Sequence, residues 1–249
     1  MKPRCAILYL FILAVSLLCA VGAKANDMTN PDYTKDFTNP VEQKMIQAII
    51  VGDVETLSKL YSAGANLNAL GKFDNTPMRV ALKFRREKVI LFLLQHGVDP
   101  NFVTPSGAVP AFLAAEQDDT SILSTLLDHG LNPNIKQDGE PIIFSTIREG
   151  QWANLRLLTS RGADLTSRTP NNSIVLLELV GMSQYDLAKA LILRGADATI
   201  PNDTGLTLVK VLVNDQKAFG ADRNNINFKK RAELLQLLRE RGVSVPAGY

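Results

Sequence analysis

Gln95-His96-Gly97-Val98-Asp99-Pro100-Asn101 and Asp128-His129-Gly130-Leu131-Asn132-Pro133-Asn134 are one phrase written twice, 33 residues apart. Three further copies flank them: Ser62-Ala63-Gly64-Ala65-Asn66-Leu67-Asn68, Ser160-Arg161-Gly162-Ala163-Asp164-Leu165-Thr166 and Leu193-Arg194-Gly195-Ala196-Asp197-Ala198-Thr199. The glycines fall at 64, 97, 130, 162 and 195, separations of 33, 33, 32 and 33, and a sixth, Gly242, follows after 47. A fixed period of this size marks stacked supersecondary units. Each glycine follows an apolar-rich helical stretch such as Val89-Ile90-Leu91-Phe92-Leu93-Leu94. There the helix must stop in a left-handed conformation that glycine adopts without steric cost. The Asp or Asn two residues on suits a tight turn, because its side chain bonds nearby backbone N–H groups.

Twelve residues before each glycine lies the turn between two helices: Gly52, Arg85, Asp118, Gly150 and Ser183. The helix ahead of it is opened in two repeats by a proline, in Thr76-Pro77-Met78-Arg79-Val80-Ala81 and in Val109-Pro110-Ala111-Phe112-Leu113-Ala114. Proline suits a first helical turn, where its missing N–H would have had no partner. These residues resemble the ankyrin-repeat family, whose phrase is Thr-Pro-Leu-His-x-Ala, a glycine turn, then Leu-Leu-x-x-Gly-Ala-Asp-x-Asn. The resemblance covers about residues 41–244 and implies an all-α solenoid of about six helix-pair repeats, an ankyrin-repeat domain over 41–249. The family histidine is replaced by Arg79, Phe112 and Lys210, so the polar lattice it builds is expected to be missing. Repeat six carries about 14 extra residues near 214–228, polar and glycine-containing, which read as a loop before a charged closing helix over 229–241.

The N-terminus is set apart from the repeats. Lys2 and Arg4 precede an apolar run from Cys5 to Val21, and Ala23-Lys24-Ala25 supplies small residues at a cleavage position. Seventeen apolar residues is also the lower edge of a membrane-spanning helix. The small-x-small triplet directly after the run favours a cleavable export signal over residues 1–25. A lipid anchor fits worse, since bulky Leu18 precedes Cys19. Residues 26–40 lack helical periodicity and read as a flexible lead-in that ends at Asn39-Pro40.

Removal of residues 1–25 takes three of the 27 basic residues and both cysteines, leaving 24 basic against 25 acidic groups and no thiol. A chain without cysteine is comfortable in an oxidising compartment, and the periplasm fits best. With formal net charge +2 for the whole chain and 21% charged residues, bulk electrostatics does not mark a nucleic-acid binder. No membrane association is expected once the signal is cleaved, and the free protein is expected to be a monomer.

No catalytic constellation stands out, so an enzyme is not expected. His96 and His129 sit at equivalent positions of neighbouring repeats without a carboxylate or thiol at ligand spacing, so neither a metal nor another cofactor is expected. Glycine is spent on turns rather than on a phosphate-binding loop. The expected role is binding another protein along the inner side of the stack, where first helices and hairpin fingers meet. Candidate contact residues before the inter-helix turns are Lys83, Phe84, Glu116, Gln117, Arg148, Glu149 and Met182. The fingers add Lys72, Phe73, Pro105, Ser106, Gln137, Asp138, Asn171, Asp203 and Thr204. Phe73 and Phe84 are the sharpest candidates as aromatic anchors, with packing onto the neighbouring repeat as the competing reading. Trp152 falls where an apolar core residue is expected. At family level, exported ankyrin proteins of this size resemble immunity proteins that neutralise type VI secretion effectors, phospholipases among them. Two other readings stay open: a periplasmic accessory factor beside a catalase in oxidative-stress defence, and an effector secreted to a host.

Overall fold

The computed structural model describes residues 32–219 and 225–247. The expected export signal and residues 26–31 of the lead-in lie outside the described residues. Among the described residues twelve α-helices follow in pairs: α1 (Pro40–Val51) with α2 (Val54–Ser62), α3 (Pro77–Lys83) with α4 (Glu87–Gln95), and α5 (Phe112–Ala115) with α6 (Ser121–Asp128). Next come α7 (Ile142–Arg148) with α8 (Trp152–Ser160), α9 (Val175–Gly181) with α10 (Tyr185–Leu193), and α11 (Leu208–Phe219) with α12 (Ile226–Glu240). Each first helix packs on its own partner and on the first helix of the next repeat, from α1 through to α11. Contacts therefore run chiefly between neighbours, and the core is a continuous apolar ribbon from Tyr33 to Leu238.

The local signals act as the sequence implies. Asn39 accepts from the Val41 N–H at 2.8 Å with Pro40 in the first turn of α1, and the Thr76 hydroxyl caps α3 at Arg79 N with Pro77 behind it. The glycines of the repeated phrase take left-handed backbone, Gly130 at φ 94°. In all five full copies the Asp or Asn two residues later accepts a bond from the backbone two further on, as from Asn101 to Asp99 at 2.8 Å. The same phrase also ties repeats together. Asn101 donates to the Gly130 carbonyl and accepts from Asn132 N, and Asn134 repeats both bonds with Gly162 and Asp164.

Two expectations are corrected. The lead-in over 26–40 is not flexible throughout. A 3-10 turn at Tyr33–Asp36 puts Tyr33 and Phe37 in the core, and Asp36 accepts from the Asn75 amide at 2.7 Å. Two aromatics here cover the open end of the stack, which a terminal repeat must do in some way. The stretch 214–228 is not mainly a loop. Helix α11 runs to Phe219 and α12 starts at Ile226 behind the cap Asn225. The insertion lengthens both helices, and the buried Arg231 guanidinium seals the junction by donating to the Leu212 carbonyl at 2.7 Å.

A polar lattice is present, although the histidines are not. Arg86 Nε donates to the Ile50 carbonyl, Gln117 Nε2 to Leu82, and the buried Asn154 amide to the carbonyls of Ala114, Ala115 and Gln117. These side chains reach across repeats to carbonyls at the ends of first helices, which have no partner inside the helix.

Candidate functional site

The inner face is built from finger hairpins and the exposed sides of first helices. In the third finger, Asp138 and Gly139 both have positive φ, which gives the tight turn that matches strand twist between Lys136–Gln137 and Glu140–Pro141. The first finger has the same two left-handed positions, but they carry Phe73 (φ 55°) and Asp74 (φ 57°). Asn75 N donates to the Lys72 carbonyl at 3.1 Å and closes the turn. Glycine, asparagine and aspartate tolerate this backbone; phenylalanine does not gain from it, and left-handed backbone costs about 1–2 kcal/mol. The ring is nevertheless 84% exposed. Asp74 accepts from the Ser106 N–H at 3.0 Å, and bonding to Ser106 holds its carboxyl below the usual range.

Phe84 is different. It is half-buried, with its ring edge-on to Tyr33 at 5.7 Å, and Lys83 lies over the same Tyr33 ring. Of the two aromatic candidates, only Phe73 faces solvent freely. Trp152 is half-buried against the core. Gln117 and Gln137 are spent on scaffolding, the first holding Leu82 and the second accepting from Val109 N at 2.8 Å. Lys72, Pro105, Ser106, Asp138, Asn171, Asp203 and Thr204 are exposed along the finger tips, with Asp203 paired to Arg168. Met182 is 43% exposed at the end of α9.

Arg148, Glu149 and Glu116 do come together. Arg148 donates to Glu140 at 2.6 Å and reaches Glu149 at 3.7 Å and Glu116 at 3.9 Å. Burial, reinforced by Glu149, pushes the Glu116 carboxyl up, and the bond to Glu140 pushes the Arg148 guanidinium up. This cluster borders a groove of about 460 Å³ between the fourth and fifth repeats, walled by Glu140 and Glu178 over Phe144 and Ile147. A smaller hollow of about 250 Å³ lies between Arg79, Lys83 and Arg85 on one side and Glu116 on the other, with Arg85 bonded to Asp118. Glu140, Glu178, Arg79 and Arg85 are absent from the candidates drawn from sequence. Glu178 carried a signal as the one charged residue of α9, and Arg79 stands among apolar residues in α3 with Lys83 at its end.

His96 and His129 bond their own helices through Nδ1, to Phe92 and Thr125 carbonyls, and His96 stacks on Phe92. Among the described residues no group of three or more His, Cys, Asp or Glu could hold a metal ion. No helix among them is long and apolar enough to cross a membrane.

The crystal structure of EF0377, an ankyrin repeat protein, superposes with a TM-score of 0.64 over 78% of this chain and 96% of that one, at 21% identity. The chain folds as an ankyrin-repeat solenoid. An ankyrin repeat-containing protein of Schizosaccharomyces pombe is 27% identical over 175 residues, 67% of this chain and 84% of the other. The nuclear factor NF-kappa-B p105 subunit of Gallus gallus is 27% identical over 178 residues, 66% of this chain, which spans 18% of that longer protein. No protein-family model matches the solenoid. Ankyrin repeat proteins generally mediate protein–protein binding.

Proposed function

We propose that this ankyrin protein is exported to the periplasm and there binds and neutralises a secreted effector, acting as an immunity protein against a type VI secretion toxin such as a phospholipase. The observation that carries the binding surface is Phe73. An exposed ring on left-handed backbone contributes nothing to the core, and local strain of this kind clusters where partners are held. A rigid finger also presents the ring with little ordering cost on association. The apolar leader and the thiol-free remainder support export. Inhibition by occupation needs only a preorganised face, which stacked repeats supply.

The test is rescue in cells. The product of each gene flanking this one is expressed with a periplasmic signal, alone and together with the full chain. Survival is expected with the full chain and not when residues 1–25 are deleted. If the full chain protects against no neighbouring effector, the immunity reading is wrong.

A further inference from the structure

Resting on the protein-binding reading above, we propose that the groove between the fourth and fifth repeats receives a lysine or arginine side chain of the bound protein. Two carboxylates, Glu140 and Glu178, line the groove with a single guanidinium, Arg148, which Glu116 and Glu149 approach from outside the lining. Arg148 satisfies Glu140 closely, at 2.6 Å, and meets Glu149 and Glu116 only at 3.7 and 3.9 Å. Glu178 is half-buried in the groove wall and forms no ion pair among the described residues. The lining thus carries two carboxylates against one guanidinium, and Glu140 already engages that guanidinium.

Its shape selects the kind of cation. Among the described residues no group of three or more His, Cys, Asp or Glu could hold a metal ion, so the groove is not read as a metal site. The floor is apolar, with Phe144 and Ile147 beneath and Met182 at the lip, 43% exposed. Lysine and arginine lay a hydrocarbon stem on such a surface while the head stays with the charges. A planar guanidinium also bonds a carboxylate through two parallel N–H groups, which favours arginine over lysine.

A library of random twelve-residue peptides displayed on phage is selected on the immobilised full chain, on the Glu140→Gln/Glu178→Gln double variant, and on Glu55→Gln as an outer-face control. Both substitutions keep side-chain shape, and circular dichroism checks that the helices remain. The wild-type chain and the control are expected to enrich arginine and lysine next to apolar residues severalfold over the starting library. The double variant is expected to lose that enrichment. Selected peptides without excess basic residues, or equal enrichment on the double variant, overturn the groove assignment. Rescue from the neighbouring effector alongside that result leaves the protein-binding reading standing. No retained peptide together with no rescue removes both.

Discussion

Replacing Phe73 by glycine sets stability against binding in one side chain. Left-handed backbone costs a residue with a Cβ about 1–2 kcal/mol, and glycine does not bear that cost. Glycine in turn loses about 0.5–1 kcal/mol more chain entropy on folding than other residues. Because the ring is 84% exposed, little apolar burial is forfeited. The balance is a gain of about 0.5–1 kcal/mol, read as a rise of roughly 1–4 °C in the thermal midpoint of a chain this size. Phe73→Asn should gain at least as much, since asparagine tolerates the same backbone without glycine's entropy. Phe73→Ala keeps the strain and should leave the midpoint nearly unchanged. Urea unfolding followed by far-UV circular dichroism measures all three, with the slope against denaturant as the check that the folded state is intact. All three should weaken binding of the protein partner tenfold or more, as loss of an aromatic anchor does. A clear loss of stability in both Phe73→Gly and Phe73→Ala would place the ring in a packing role and refute the reasoning.

Asn154→Leu removes the amide donor to three carbonyls at the end of α5; Ala114 keeps backbone donors, while Ala115 and Gln117 lose theirs at about 1 kcal/mol or more each. A fall of roughly 4–8 °C in the thermal midpoint is expected by calorimetry. In Gly130→Ala the new methyl meets no atom within 4 Å, so only the backbone at φ 94° opposes it. The expected cost is about 1–2 kcal/mol in urea unfolding. Glu116 titrates higher when folded than when unfolded, through burial and through Glu149 and Glu140, with Arg148 opposing. Its ionisation therefore weakens the fold as pH rises from the ordinary 4.5 through the raised value, and the penalty is constant above that. Glu116→Gln should raise the midpoint by roughly 1–2 °C at pH 7 and by nothing below about pH 4, a modest effect because the side chain is partly solvated. Asp164 and Asp197 shift the other way, lowered first by bonds from the Thr166 and Thr199 hydroxyls, so their contribution is lost as pH falls below the usual carboxylate range.

What could be read from sequence was local, and what could not was tertiary. The Gly-x-Asp-x-Asn phrase announces its own geometry, since a left-handed stop and a side-chain-to-backbone turn are both encoded within five residues. Its second role, the Asn101 and Asn134 bridges to the next repeat, needs the stack to exist before it has meaning. Tyr33 and Phe37 sit in a segment without periodicity, and only the exposed end of α1 and α3 gives them a place to be buried. The stretch after Leu212 is polar enough to suggest a loop, yet helical backbone continues to Phe219. Asn154 illustrates the same limit: in sequence it is one polar residue in an apolar helix, and its three acceptors lie about forty residues away. For the candidate site, the finger and pre-turn positions came from repeat alignment. The groove at Glu140 and Glu178 emerges only when two repeats are set side by side.

Photocrosslinking in living cells tests the binding face most directly. A benzophenone amino acid is placed singly at Phe73, Asp138 and Asn171 on the inner edge, and at Leu91 and Leu193 on exposed sides of the second helices. The expected result is a discrete adduct with the neighbouring effector from the inner positions and none from the outer pair. Equal adducts from both sets, or adducts from Leu91 and Leu193 alone, would contradict binding through the fingers and first helices.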